Sequence, residues 1–236
     1  MNDEELIAKL KITSKDRVLD IGGSLKQHDE IRIDTLVDLH HPEKAPYWPS
    51  KLKARHFIQL DIARQKLPFA DKEFDVCLCT HTLEDLYNPF QIMDEMSRVA
   101  KRGYLATPSR GKDMEFSHFN LTDWKTGARR QPGLSHHHWF FECQNKKLVV
   151  TPKIYPILYT SEFYITQWSG ETECQYLWQD KISYEVFPSV DTHGIIKEYR
   201  DFIQSHRDKI QKGPVLFYLD NPIYILKECL KSWLQR

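Results

Sequence analysis

The chain of 236 residues has no surplus of either charge, with Lys+Arg and Asp+Glu both numbering 33. No field of one sign exists to draw it onto a phosphate backbone or an anionic bilayer, so nucleic acid is not expected as a partner. It lacks any run of about 18 uninterrupted apolar residues, so no membrane span is expected. Its first residues, Met1-Asn2-Asp3-Glu4-Glu5, are acidic where a secretory signal is basic and then apolar. Cysteine is sparse: Cys77, Cys79, Cys143, Cys174 and Cys229 are odd in number and scattered. That excludes a disulfide framework and points to free thiols in a reducing, cytoplasmic compartment. Internal repeats, low-complexity tracts and the G-x-G-x-x-G dinucleotide fingerprint are all missing, the last arguing against a nicotinamide enzyme.

What remains is a composition typical of a globular enzyme, 41% hydrophobic and 28% charged. The length fits one domain over residues 1–236. From Arg17 to Thr107 short apolar runs alternate with polar, helix-like stretches, the pattern of a mostly parallel α/β sheet with helices on both faces. Strands are expected at Arg17 to Ile21, Thr35 to Leu39, His56 to Leu60, Phe74 to Thr80 and Gly103 to Ala106. Between the last two, Pro89 to Val99 reads as a helix with Ile92, Met93, Met96 and Val99 on one face, Asn88 as its N-cap and Pro89 at its first position. Cys77 and Cys79, two apart on a strand, share one face as buried thiols.

After Pro108 comes a polar stretch to about Ser135, with a short helix near Thr122 to Thr126, expected as a lid over the pocket. Aromatic and β-branched residues then dominate from Trp139 to Val190, with turns near Gln144-Asn145 and Ser169-Gly170. They suggest antiparallel strands closing the sheet edge. An amphipathic helix over Thr192 to Gln211 and a second from Asn221-Pro222 to Leu234 complete the chain. The domain thus divides into a ligand-binding half (16–109), a lid or substrate loop (110–138) and a sheet-completing part (139–236).

Val18-Leu19-Asp20-Ile21-Gly22-Gly23-Ser24 is a strand running into a glycine turn, where missing side chains let a nucleotide-like ligand approach the backbone. Thr35-Leu36-Val37-Asp38 ends a second strand in a carboxylate near the spacing of a ribose-binding acid. His56 to Leu60 leads to Asp61, able to accept from an adenine amino group while Ile62 packs on the ring.

The run Leu67-Pro68-Phe69-Ala70-Asp71-Lys72-Glu73-Phe74-Asp75-Val76, followed by His81-Thr82-Leu83-Glu84-Asp85, resembles the fourth-strand region of class I methyltransferases dependent on S-adenosylmethionine (SAM). The likeness continues through Met93, Glu95, Arg98-Val99 and Arg102-Gly103-Tyr104 to Thr107-Pro108. It implies a Rossmann-like methyltransferase fold, SAM as cofactor, the methionine part on the Asp20-Gly22-Gly23 turn, the ribose on Asp38 and the adenine on Asp61 and Ile62. Thr80 or His81, just past the fourth strand, would line the methyl site. One departure stands out: the family's alternating glycines are reduced to Gly22-Gly23, and Gln27 to Ile33 is short for the helix that follows. A turn is expected in place of that helix start.

His136-His137-His138 before Trp139-Phe140-Phe141 resembles a His-Arg-Trp-aromatic element of small bacterial methyltransferases, with His137 at the histidine position. Three consecutive residues on a strand do not face one ion, so no metal is expected. The resemblance implies transfer to a hydroxyl of a small-molecule or glycan acceptor, with His137 or His81 as general base. The rival reading is a methyltransferase-like binding or regulatory protein without turnover.

Overall fold

The apolar runs of the first hundred residues become five parallel strands: β1 (Val18–Ile21), β2 (Thr35–Asp38), β3 (His56–Gln59), β4 (Phe74–Thr80) and β5 (Ala100–Pro108). These belong to a computed structural model that describes residues 1–46, 48–116, 131–144, 146–187 and 191–211. The sheet order is β3-β2-β1-β4-β5-β9, with β9 (Glu173–Gln179) antiparallel to β5. Strand composition follows position. β4 is apolar on nearly every residue because helices cover both faces of a parallel sheet, and Cys77 and Cys79 are fully buried in it. β9 alternates, burying Cys174, Tyr176 and Trp178 while Gln175, Leu177 and Gln179 face out, as an antiparallel edge strand does.

Two helices flank this sheet. α1 (Asp3–Leu10) is closed by a capping box in which the Asn2 side chain accepts from the Glu5 amide and Glu5 reaches back to the Asn2 amide. It buries Leu6 and Leu10 with Val18, Val76, Leu78 and Tyr104. α2 (Pro89–Val99) begins at Pro89 and buries Ile92, Met93, Met96 and Val99, the expected face, but Asn88 makes no side-chain cap. Its buried Glu95 accepts from the Leu67 amide, and Arg98 clasps Glu95, the Phe69 carbonyl and Asp71. The Leu67–Asp71 segment is therefore held by charged partners on α2, and the Arg98 guanidinium keeps the Glu95 carboxyl below its usual range.

The chain falls into two compact units. The first comprises Met1–Pro108, Phe141–Val150 and Glu173–Val186 and contains the six-stranded sheet. The second comprises Ser109–Phe140, Thr151–Thr172 and Phe187–Arg236, with Met114, Phe140, Leu158, Phe163, Ile165, Ile195, Tyr199 and Phe202 at its core.

Several elements differ from the sequence reading. Residues Arg110–Met114, expected as the start of a lid, form a short helix with Arg110, Asp113 and Met114 buried. Beyond β6 (Trp139–Gln144), β7 (Lys147–Pro152) is joined by β10 (Tyr184–Val186) in parallel, not antiparallel. The helix expected to reach Gln211 stops at Ser205, whose hydroxyl turns back onto the Asp201 and Phe202 carbonyls, and Ile210 of the short strand β11 (Ile210–Gln211) instead pairs with Trp168 of β8 (Gln167–Trp168). The helix near Thr122 to Thr126 and the one from Asn221 to Leu234 lie outside the described residues.

Candidate active site

At the C-terminal end of β1 the chain turns at Gly22, in the left-handed region with φ 77°, and the Gly22 amide donates to the Val37 carbonyl at 2.8 Å. The turn needs glycine for the protein's own packing. A Cβ on Gly22 would sit 2.1 Å from the Thr82 hydroxyl, and one on Gly23 2.0 Å from the Asp20 carboxylate. Asp38 closes the turn from β2, accepting from the Ser24 amide at 3.0 Å and the His40 amide at 3.1 Å.

No helix follows the turn; residues 22–34 are turns and bends. The amides of Asp29 and Glu30 point instead at Asp3 of α1, which accepts both at 2.8 and 2.9 Å and also meets His28 at 2.6 Å. The chain thus supplies its own anion where a helix start would have faced a ligand. Burial works against the charge on Asp3, but the His28 contact and the two amides outweigh it and hold its pKa below the ordinary value.

Asp20 sits beneath this turn, 1% exposed, with its Oδ1 lacking any partner. Burial, reinforced by Asp38 and opposed by His28, pushes its pKa up to about 6. A buried carboxylate oxygen without a donor carries a desolvation cost that a ligand cation would relieve. On this count the residues fit an α-ammonium group, and the partly exposed Asp38 has room for further donors beside its two amides.

At the end of β4, Thr80 leads to His81, a non-glycine residue with φ 52° whose amide bonds to the Ala106 carbonyl. Left-handed backbone at such a residue costs about 1–3 kcal/mol and is sustained only by its surroundings. Here they are acidic: His81 Nε2 lies 3.1 Å from Glu173 of β9, and Nδ1 lies 3.5 Å from the buried Glu84. Glu84, followed by Glu173, raises the imidazole pKa despite partial burial. Beside them opens a cavity of about 520 Å³ lined by Leu6, His28, Thr80, His81, Tyr104 and Glu173 among others, a size suited to a small molecule.

The structure therefore gathers Asp20, Gly22, Gly23 and Asp38 at one strand-end turn, with Thr80 at the end of the neighbouring strand β4 and His81 just past it. Asp61 stands after β3, where its carboxylate accepts from the Ala63 amide at 3.1 Å and pairs with Arg64 at 3.4 Å, and Ile62 behind it is buried. His137 belongs to the second unit. It is 4% exposed, with Nδ1 2.8 Å from Asp113, and Asp113 also pairs with the buried Lys153 at 2.9 Å. Sequence reasoning missed Asp3, His28, Glu84 and Glu173. Asn2 followed three residues later by Glu5 was a legible helix start that would have placed Asp3, whereas Glu173 has no sequence signal because it arrives on the antiparallel strand.

Residues 35–107, from β2 through the Leu67–Asp71 segment and His81 to the end of β5, match the family model of the methyltransferase domain. Over these residues the chain is similar to that domain. Among solved structures, the chain resembles a SAM-dependent methyltransferase from Aquifex aeolicus, 19% identical over 52% of this chain and 74% of that one, with a TM-score of 0.34. One from Methanosarcina mazei is 20% identical over 44% of this chain and 57% of the other, with a TM-score of 0.32. One from Mesorhizobium loti is 11% identical over 55% and 64%, with a TM-score of 0.33. Similarities this low carry no argument about the site, and for several neighbours the match spans only about half of the other chain. No curated protein matches the sequence. Among the described residues no helix is long and apolar enough to cross a membrane.

Proposed function

We propose that the protein transfers the methyl group of SAM to a hydroxyl of a small-molecule or glycan acceptor in the cavity beside His81. One observation carries the cofactor assignment: Asp20, buried under the glycine turn that precedes the segment similar to a methyltransferase domain, keeps a carboxylate oxygen without a partner. Asp20 would hold the ammonium group of the methionine part, with Gly22 and Gly23 beneath that part, Asp38 at the ribose, Asp61 and Ile62 at the adenine, and Thr80 toward the methyl. When bound, SAM supplies a methyl group activated by its sulfonium. The protein's task is then to hold the acceptor in line and to remove its proton.

His81 is the base in this reading. Its ring accepts the hydroxyl proton while Glu173 holds Nε2, and the imidazolium that results lies between two carboxylates. His137, clasped by Asp113 inside the second unit, is assigned a structural role. The balanced charge leaves nucleic acid outside the acceptor class, and a cytoplasmic location goes with the free thiols.

A second reading, ligand binding without turnover, is favoured by the Asp3 carboxylate that already fills the Asp29 and Glu30 amides. The decisive experiment compares SAM, its demethylated product and NAD by calorimetry and thermal shift, then screens hydroxylated acceptors. SAM and its product are expected to bind and NAD to fail, with Asp20→Asn weakening binding tenfold or more, about 1.4 kcal/mol. Binding without transfer to any acceptor would support the second reading. Absence of SAM binding would sink both.

A further inference from the structure

Cys143, exposed on β6, and Cys174, buried on β9, bring their sulfurs within 2.9 Å of each other in the first unit. Cys143 also lies 3.3 Å from the Gln175 carbonyl. Cys77 and Cys79, by contrast, are sealed inside β4. Cys143 opens onto a groove of about 750 Å³ whose lining includes Lys9, Lys11, Arg102, Lys146 and Trp178. The Arg102 guanidinium is committed to Asp16 and the Leu10 carbonyl, so Lys9, Lys11 and Lys146 supply the groove's positive charge, with the Glu142 carboxylate set against it beside the thiol.

We infer that Cys143 and Cys174 are a redox-active thiol pair, and that the lysine-lined groove beside Cys143 receives the anionic low-molecular-weight disulfide, of the glutathione type, that oxidises them. The step balances as two exchanges. The Cys143 thiolate attacks one sulfur of the incoming disulfide, forming a mixed disulfide and releasing one small thiolate. Cys174 then gives up its proton and attacks the Cys143 sulfur, closing the Cys143–Cys174 bond and releasing the second. Two protein thiols are oxidised and one small disulfide is reduced to two thiols; an excess of the small thiol reverses both exchanges.

The asymmetry of the pair suits this order, because the accessible sulfur is the attacker and the buried one can meet only its neighbour. Their mutual hydrogen bond lowers the Cys143 pKa despite partial burial, and the same bond together with burial raises that of Cys174. The closed bridge would tie β6 to β9 one residue from Glu173, the partner of His81. The exchange does not depend on methyl transfer, and each readout of its test is chemical.

The test exposes the full chain to oxidised glutathione, blocks the remaining thiols and maps the peptides by mass spectrometry. A Cys143–Cys174 bridge that reduced glutathione reopens is the expected product. Cys174→Ser should stop at a glutathione adduct on Cys143, and Cys143→Ser should leave Cys174 unmodified, each variant being checked for an unchanged melting temperature. At low salt, cystamine, a cationic disulfide, should react at least about tenfold more slowly than oxidised glutathione, and the Lys9→Glu, Lys11→Glu, Lys146→Glu triple variant should erase that preference. A stable adduct on the wild-type chain without the bridge, or a bridge made instead with Cys229, would overturn the pair. Equal rates for the two disulfides would overturn the groove's role.

Discussion

Two histidines, one in each unit, sit beside carboxylates and do opposite things with them. His81 follows β4 with 43% of its side chain exposed, a left-handed backbone, and Glu173 and Glu84 on either side. His137 has 5% exposed and shares Asp113 with a lysine that has none. Gly133 completes that arrangement, since any Cβ there would fall 2.0 Å from the Asp113 carboxylate. The same pair of residue types makes a half-exposed contact at a cavity rim and a fixed tie inside a core. Access and freedom to exchange partners separate the two, not proximity to an acid.

The largest expected effect tests the buried member. Asp113→Ala leaves His137 and the buried Lys153 without their shared anion and should cost about 3–5 kcal/mol of stability by urea denaturation. Cofactor affinity measured by calorimetry on the folded fraction should stay unchanged. A stable Asp113→Ala protein with altered SAM affinity would erase the contrast between the two histidines.

His81→Gln should do the reverse. Single-turnover transfer to an identified acceptor should fall at least about 100-fold, the usual contribution of positioned proton transfer. Stability should change by less than about 1 kcal/mol, because pairs exposed to this degree are weak. If the rate survives, His81 only braces the turn after β4.

Asp20→Asn provides a reference in which stability and binding move in opposite senses. The Asp20 pKa is about 6 in the folded protein, raised by burial, so the acid's contribution is fully present below its unfolded value and is lost as pH rises through 6. At pH 7 the wild type bears that cost, and Asp20→Asn should stabilise the unliganded protein by roughly 3 kcal/mol while weakening SAM binding. Thermal melts at pH 4 and pH 7, with and without SAM, check both signs.

The smallest effect lies in the pH profile. Because Glu84 and Glu173 raise the His81 pKa, the rate should climb with pH through a value above that of an ordinary imidazole, and Glu84→Gln should move that limb downward. The matching stability contribution is present below the unfolded histidine value and disappears as pH rises through the folded one. An acid limb unmoved in Glu84→Gln would detach Glu84 from the proton.

Much of the first unit was legible along the chain, because parallel strands buried on both faces appear as apolar runs: β4 begins and ends where the sequence placed it, and the others shift by a few residues at most. The second unit was less so. Its buried polar groups, Arg110, Asp113 and Lys153, mimic a solvated loop in composition, and only their partners Glu198 and His137 reveal a core. The helix from Thr192 stops short of Gln211 because Ile210 fits a strand as well as it fits the helix's apolar stripe.

At the site the division is the same. The strand-end positions of Asp20, Gly22, Gly23, Asp38, Asp61, Thr80 and His81 follow from sequence alone, since local periodicity fixes where strands end and open α/β sheets present those ends to ligands. Tertiary structure alone decided what surrounds them: that Asp3 from α1 fills the amides after the glycine turn, that Asp20 keeps an unpartnered oxygen, and that Glu173 reaches His81 from 92 residues away. Those facts depend on burial and on contacts between distant segments. Spacing along the chain encodes which face a side chain occupies, but not which charge will be folded against it.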